Sequence, residues 1–571
     1  MIDDEADSTP RPGLRAASHL VALLVPALLW LSLLPGFGRL PANDYWGIVT
    51  QVVDGDRFST DALDWLHVKS NEHTVVLPAL VYALNVTATG GDNRILSAIA
   101  LALLLASAAL LFRSLPIRPG AHRAVRAGTA LALSAFILTP AAAHSIVLGF
   151  SGTIWFLANL LAIAAVRALV ALADRPTTVR LAGLVALGLL GALAYSTNLA
   201  LWPALLVGAW LLRVPVAQRV VIAFGGGLAF LFVSLTYARP PHHPGPALTD
   251  PTAVARFLAV YLGAPLAADP RLAGALGVAG LLLASLLAAL LLARRDDQTR
   301  RQVAPWLVLQ LYAAGNAVGT AVARAELGGA RSSRYASVAI LFWLGLAAMI
   351  PVSLTEARSR GRRVPGAPGL LLAGLVLAGV AATWVRGLPI LEQYLERAAG
   401  QPLAELALQH DVADDEALAA VTPLPQEIRQ LRGFLAAARH VPFDHPATVV
   451  YGAPADCRAP TGARSGIEAS RISAVRLGGG VFRIEFAWSP PGKTPAELLA
   501  VDGSGTVRGA VRDVSPASVW RLRPAGRARQ RWAGYVAPGA DPQAQLLCAT
   551  GSVGQPLRLV ATLPAEALAG D

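Results

Sequence analysis

The densest set of groups able to move protons lies early in the chain, within residues 35–73. It comprises Asn43-Asp44-Tyr45-Trp46, the run Val53 to Phe58, and Asp64 to His73, which ends on Asn71-Glu72-His73. A hydroxyl acceptor is a poor nucleophile until a base takes its proton as the new bond forms, and an interfacial carboxylate or imidazole can serve. Asp44, Glu72 and His73 are the candidates for that work, although solvated surface charge is the ordinary role of such residues. A second group follows much later, in the segment Arg324 to Tyr335, which holds Arg324, Arg331, Arg334 and Tyr335 with two glycines and two serines. Guanidinium groups present a planar fork to phosphate, and small neighbours permit close backbone approach. If a lipid phosphate were the leaving group, these fixed cations would stabilise its developing charge.

Other chemistries find less support. Asp54-Gly55-Asp56 superficially matches the metal-binding Asp-x-Asp of soluble nucleotide-sugar transferases, but three residues are a weak signal, so a divalent metal is neither indicated nor ruled out. There is no P-loop for an ATP-driven pump, no HExxH and no Cys/His zinc spacing. His242 and His243 sit in a Pro-rich stretch that reads as a surface loop.

The elements that must position these residues are apolar. Hydrophobic residues make up 54% of the 571-residue chain and charged ones 15%, and the apolar residues come in blocks separated by short basic segments. A soluble globule of that composition would expose too much apolar surface. A hydrocarbon core about 30 Å thick asks for roughly 20 apolar residues per helix, and several runs approach this without a charge. The net charge of +12 is mostly arginine between those runs, where it meets anionic headgroups and not nucleic acid.

We expect an all-α polytopic domain of about eleven membrane helices. The first run, His19 to Leu34, has an acidic flank and no convincing cleavage site, so it reads as a retained helix. Thr74 to Thr87 is short, contains Pro78, and reads as interfacial. Counting Ile95 to Phe112 as the next crossing puts Arg118, Arg123 and Arg126, then Arg175 and Arg180, Arg213 and Arg219, Arg294 to Arg301, and Arg358 to Arg363 on the cytoplasmic side. The loop Arg324 to Tyr335 is the exception, a basic segment on the outer side. Val254 to Leu266 reads as an amphipathic stretch on the membrane.

The expected organisation is a disordered cytoplasmic N-terminus (1–18), a membrane domain (19–386) with its first outer loop at 35–73, a helical connector (387–446) and an extracytoplasmic β-rich domain (447–571). In the last of these, short β-type runs at Thr448–Tyr451, Arg471–Leu477, Val481–Trp488, Val519–Leu522 and Leu557–Ala561 suggest a β-sandwich. Trp488, Trp520 and Trp532 could bind carbohydrate but read better as core. Cys457 and Cys548 are the two cysteines, and outside the cytoplasm they would pair as a disulfide, with two buried free thiols as the alternative.

Taken together, these features resemble the GT-C class of membrane glycosyltransferases, which includes protein mannosyltransferases, aminoarabinose transferases and arabinofuranosyltransferases. The resemblance covers roughly the first 390 residues and rests on an acidic residue after the first helix (Asp44), a Pro-initiated helix (Pro78-Ala79-Leu80-Val81-Tyr82), a Gly-containing turn (Gly90-Gly91-Asp92-Asn93-Arg94) and the helix from Ile95. Asn71-Glu72-His73 and Ser333-Arg334-Tyr335 look like elements that recur in bacterial members. The chain has Asn43-Asp44 where many members carry two acids. The resemblance implies a catalytic carboxylate at Asp44 and a polyprenyl-phosphate sugar donor. The acceptor would be an extracytoplasmic glycan, lipid or protein, and the location the inner (plasma) membrane of a bacterial cell. The alternatives are a transporter or flippase of lipid-linked glycans, or a non-catalytic envelope assembly protein. A transporter should carry polar groups midway along several helices, and these runs are nearly charge-free.

Overall fold

The computed structural model describes residues 12–55, 57–115, 123–239, 250–293, 296–359, 367–444, 452–455, 457–458, 472–488, 495, 497–516, 530–537, 545–549 and 557–563. The sequence readings at Asp56, Arg118, His242, His243, Arg294, Arg295, Thr448–Tyr451 and Val519–Leu522, Trp520 included, lie outside the described residues.

The helices in chain order are α1 (Pro12–Leu33), α2 (Tyr45–Thr50), α3 (Ala62–His67), α4 (Val76–Thr89), α5 (Asn93–Phe112), α6 (Arg123–Ile137), α7 (Ala143–Val147), α8 (Gly149–Asp174), α9 (Thr178–Ala194) and α10 (Leu201–Leu211). They continue as α11 (Val216–Thr236), α12 (Pro251–Gly263), α13 (Pro270–Leu292), α14 (Asp297–Arg324), α15 (Ala336–Ser359), α16 (Ala367–Ala399), α17 (Gln401–His410), α18 (Asp415–Leu418), α19 (Pro425–Gln430) and α20 (Arg432–Ala437). Two short hairpins, β1 (Val53–Asp54) with β2 (Arg57–Phe58) and β3 (Lys69–Ser70) with β4 (His73–Thr74), lie between α2 and α4.

The chain divides into two compact units. One comprises Met1–Ser32, Leu63–Val81 and Leu96–Leu391, and the other Leu33–Ala62, Tyr82–Ile95 and Glu392–Asp571. Among the described residues eight helices are long and apolar enough to cross a membrane, and five apolar ones are shorter: Val21–Gly36, Val76–Thr89, Thr178–Ala194, Ser196–Leu211 and Pro251–Gly263. At 1.5 Å per residue a helix of about 15 residues reaches roughly 22 Å, short of a hydrocarbon core of about 30 Å. Of the expected crossings, α9 and α10 are present as helices shorter than that core, while α1 is 22 residues long with its apolar part at Val21–Gly36.

The first unit is apolar outside as well as inside. Phe224, Phe230, Leu235 and Leu282 are each more than three-fifths exposed on α11 and α13, the reverse of a soluble helix. Helices α12 and α13 approach so closely that a Cβ on Gly263 or Gly277 would strike the backbone of the other helix, the small-residue contact typical of packing in lipid. Polar groups inside are tied to one another. Tyr312 Oη on α14 lies 3.0 Å from Asn159 Oδ1 and 2.7 Å from Asn198 Oδ1, and Asn159 Nδ2 donates to Ser337 Oγ on α15 at 3.1 Å.

In the second unit the described C-terminal strands are β5 (Cys457–Arg458), β6 (Ser473–Arg476), β7 (Phe482–Trp488), β8 (Leu498–Val501), β9 (Val507–Asp513), β10 (Gln530–Val536), β11 (Gln545–Ala549) and β12 (Leu557–Leu563). They form one eight-stranded sheet in the order β5-β12-β11-β8-β9-β10-β7-β6, antiparallel apart from the β5–β12 pair. A sandwich is expected from the sequence, but β8 pairs with both β9 and β11, so the described ladder runs on without a break between sheets. Alternation along β7 sends Phe482, Ile484, Phe486 and Trp488 to one face, where they meet Leu498, Val511, Trp532 and Leu547. Trp488 and Trp532 are thus core residues, with ring centroids 5.4 Å apart.

On the other face Cys548 packs with Leu499, Val501 and Val507. Cys457 and Cys548 are bonded to each other across 91 residues, with their Cα atoms 6.1 Å apart. Closing a loop of that length removes unfolded-state freedom worth about 4.6 kcal/mol. Mass spectrometry of protein taken from intact cells without reductant should therefore recover a Cys457–Cys548 linked peptide. Two free thiols would contradict the pairing.

Candidate functional site

In the first unit the second hairpin carries the charged pair. Asn71 and Glu72 form a two-residue turn between β3 and β4, made possible because Asn71 adopts a positive φ of 54°, which asparagine tolerates better than most residues. The turn brings His73 beside Glu72, with Nε2 at 3.2 Å from Glu72 Oε1. Arg324, the last residue of α14, reaches the same oxygen at 3.1 Å. On the other side of the ring, His73 Nδ1 is 2.8 Å from the hydroxyl of Ser196, and the His73 and Tyr195 ring centroids are 4.6 Å apart.

Ser196 opens the 3₁₀ turn between α9 and α10. That turn is pinned by Asn198, which donates from Nδ2 to the Ala158 carbonyl at 3.1 Å. Burial alone would raise the Glu72 carboxyl. The hydrogen bond and charge of His73 and the charge of Arg324 outweigh burial and hold it well below the usual carboxylate range. Glu72 and Arg324 are both largely shielded, with side chains 8% and 13% exposed, so neither charge can be stranded cheaply.

The arginine loop lies in the same unit. Tyr195 packs edge-on against Trp155 at 4.7 Å, Trp155 against Tyr335 at 5.7 Å, and Tyr335 stacks on Tyr261 at 4.9 Å. Arg334 sits over the Tyr335 ring, 5.1 Å from its centroid, and donates to its hydroxyl at 3.2 Å. Ser333 Oγ donates to the Ala141 carbonyl at 2.6 Å and accepts from the His144 amide at 3.2 Å, which fixes the loop's end against α7. Arg331 is held by the Ala268 carbonyl at 2.7 Å.

An open cleft is lined by Arg331, Ser332, Ser333, Tyr335, Tyr261 and Arg386, the last from α16. Among the described residues neither the buried Tyr261 hydroxyl nor Arg386 Nε has a hydrogen-bond partner. Two arginines and an unengaged hydroxyl around one opening are groups whose chemistry suits an anion.

Asp44 belongs to the second unit. It is exposed and precedes α2 without capping it. Its surroundings are strongly fixed. Asn43 adopts a φ of 54° and accepts at Oδ1 from Arg397 at 2.8 Å, and its amide donates to Val421. Tyr45 is fully buried, and its hydroxyl is 3.1 Å from His440 Nε2, while His440 Nδ1 is 2.7 Å from the Val441 carbonyl. Gly91, at φ +73°, takes up the space against His440 that no side chain could share. Burial, and after it the charge of Asp44, raises the carboxyl of Glu427 on α19, so a second acid does accompany Asp44 from far along the chain.

The structure thus gathers Glu72, His73 and Arg324 into one cluster and Arg334 and Tyr335 into an aromatic chain leading to it, with Arg331 on the adjoining cleft. Asp44 falls in the other unit. Arg324 is turned toward Glu72, where a phosphate ligand is expected from the sequence. Ser196, Tyr261, Arg386 and Glu427 were not legible as site residues. Tyr195 to Asn198 reads only as a polar turn between apolar runs, and Arg386 as the flank of a last helix. Among the described residues no three His, Cys, Asp or Glu side chains group to hold a metal ion. The chain matches no family model, no curated protein and no solved structure.

His440 gives the Asp44 region a pH signature. Burial pushes its imidazole from 6.5 down to about 4, with the Val441 hydrogen bond and the charges of Asp444 and Asp92 opposing only in part. The folded value lies below the unfolded one, so the unfolded chain takes up the proton first as pH falls. The stabilising contribution is whole above about 6.5, is lost between about 6.5 and about 4, and changes no further below that. Thermal unfolding of the full-length protein in detergent should lose about 2 kcal/mol between pH 7 and pH 5 through this group, and His440→Gln should remove that increment. Equal pH slopes in the two proteins would contradict it.

Proposed function

We propose that the protein is a multi-pass membrane glycosyltransferase that moves a sugar from a polyprenyl-phosphate donor to an extracytoplasmic glycan, glycolipid or protein, with inversion. The observation that supports the reading most is the cleft with Arg331, Arg386 and the Tyr261 hydroxyl in a unit whose helices are otherwise apolar. A lipid-linked phosphate combines a charge for the arginines with a chain for the apolar exterior. In this reading Asp44 is the base, which accepts the acceptor's proton as its oxygen attacks the anomeric carbon. The sugar–phosphate bond breaks and the phosphate leaves with the electron pair. Glu427 supplies the second acid that the sequence around Asp44 lacks. In this reading Glu72 and His73 hold the turn and Arg324 in place and do not touch the sugar. The first loop, the arginine loop and the C-terminal sheet lie outside the cytoplasm, with the Cys457–Cys548 bond in keeping with that side.

Two kinds of variant should fail differently. A charge-assisted hydrogen bond contributes roughly 1.5–3 kcal/mol, so Arg331→Ala and Arg386→Ala should each weaken binding of a polyprenyl-phosphate sugar about tenfold or more. Asp44→Asn should bind the same donor as wild type while turnover falls about a hundredfold or more. Unchanged donor affinity in both arginine variants would remove the phosphate site, and wild-type turnover in Asp44→Asn would remove the base.

A further inference from the structure

One arrangement in the first unit is not used by glycosyl transfer. His73 stands between two oxygens, with Glu72 Oε1 3.2 Å from Nε2 and Ser196 Oγ 2.8 Å from Nδ1. An ionised carboxylate only accepts, and the adjacent Arg324 keeps Glu72 in that form. A ring with one proton must then carry it on Nε2, facing Glu72, which leaves the lone pair of Nδ1 facing Ser196. The Ser196 hydroxyl is the donor in that contact, and its oxygen gains nucleophilic character. This is the relation of nucleophile, base and orienting carboxylate recognised by geometry and role on unrelated folds.

We propose that Ser196, His73 and Glu72 form a nucleophilic relay able to take carboxylic esters of apolar acyl chains. Ser196 Oγ attacks the ester carbonyl carbon as its proton passes to His73 Nδ1, and the carbonyl π pair moves to oxygen. Collapse of this adduct expels the alcohol, which takes the proton back from His73 and leaves the acyl group on Ser196. Water or an acceptor hydroxyl then repeats the sequence in reverse and frees the serine. The buried Tyr195 and Trp155 rings give the relay apolar surroundings of the kind an acyl chain would share. Three groups brought together from two distant segments are involved, on a hairpin and a turn that are each independently braced.

Glu72 is the positioning residue and Ser196 the catalytic one, and a covalent probe separates them without any sugar donor. The full-length protein in lipid nanodiscs is treated with a short-chain alkyl fluorophosphonate and read by peptide mass spectrometry. We expect a single phosphonyl adduct on Ser196, absent in Ser196→Ala, formed about a hundredfold more slowly in His73→Gln and about tenfold more slowly in Glu72→Gln. No adduct on Ser196 in the folded wild type, or a rate unchanged in His73→Gln, would overturn the relay. Should His73→Gln fail to fold, the wild type decides. Glycosyl transfer could fail while labelling persists, so the two readings stand or fall separately.

Discussion

The contact among Glu72, His73 and Arg324 is the interaction on which the polar face of the first unit depends. A carboxylate and a guanidinium shielded this far from water are costly unless each satisfies the other, and removing one partner strands the remaining charge. Their pairing fixes the second hairpin to the end of α14. His73 passes the constraint on to Ser196, and the ring contacts from Tyr195 through Trp155 carry it to Tyr335 and the arginine loop. Rigid polar geometry is thereby built at the ends of helices whose own surfaces are apolar.

The second unit solves a different problem, that of attaching a sheet to the helices of the connector. Arg483 on β7 reaches both oxygens of Asp414 at 3.1 Å, and the Tyr535 hydroxyl donates to one of them at 2.9 Å. Arg512 on β9 holds Glu405 at 3.2 Å, Glu497 at 3.1 Å and Gln409 at 3.0 Å. Arginines that each engage two or more acceptors give orientation where apolar packing alone would allow sliding. The helices α17 and α18 and the described C-terminal strands thus lie in one compact unit. The Gly90-Gly91-Asp92-Asn93-Arg94 turn belongs to this body as well, with Asp92 held by Arg94 and Arg39 and the Asn93 amide donating to the Arg39 carbonyl.

What could be read from the sequence follows from what is local. Long charge-free runs such as Ile95 to Phe112 declare helices because hydropathy is a property of neighbouring residues. The alternation in Val481 to Trp488 declares a strand for the same reason. The Asn71-Glu72-His73 segment stands out by composition, and so does the arginine-rich loop from Arg324 to Tyr335. Pairings across the chain leave no such trace. Nothing near Tyr195-Ser196 announces His73, and nothing near Trp384 announces that Arg386 shares a cleft with Arg331. Helix length is the converse case, since α9 and α10 read as crossings by hydropathy although their ends are set by the turn that Asn198 pins.

The central claim, that Glu72 and Arg324 hold each other and through this the polar face, is tested most directly by a double-mutant cycle. Glu72→Gln, Arg324→Gln and the double variant are compared with wild type by thermal unfolding of full-length protein in the same detergent. The account predicts that each single substitution strands a shielded charge and lowers the midpoint strongly, while the double variant unfolds no earlier than the worse single one, so that the effects are far from additive. Additive losses, or single variants indistinguishable from wild type, would contradict it.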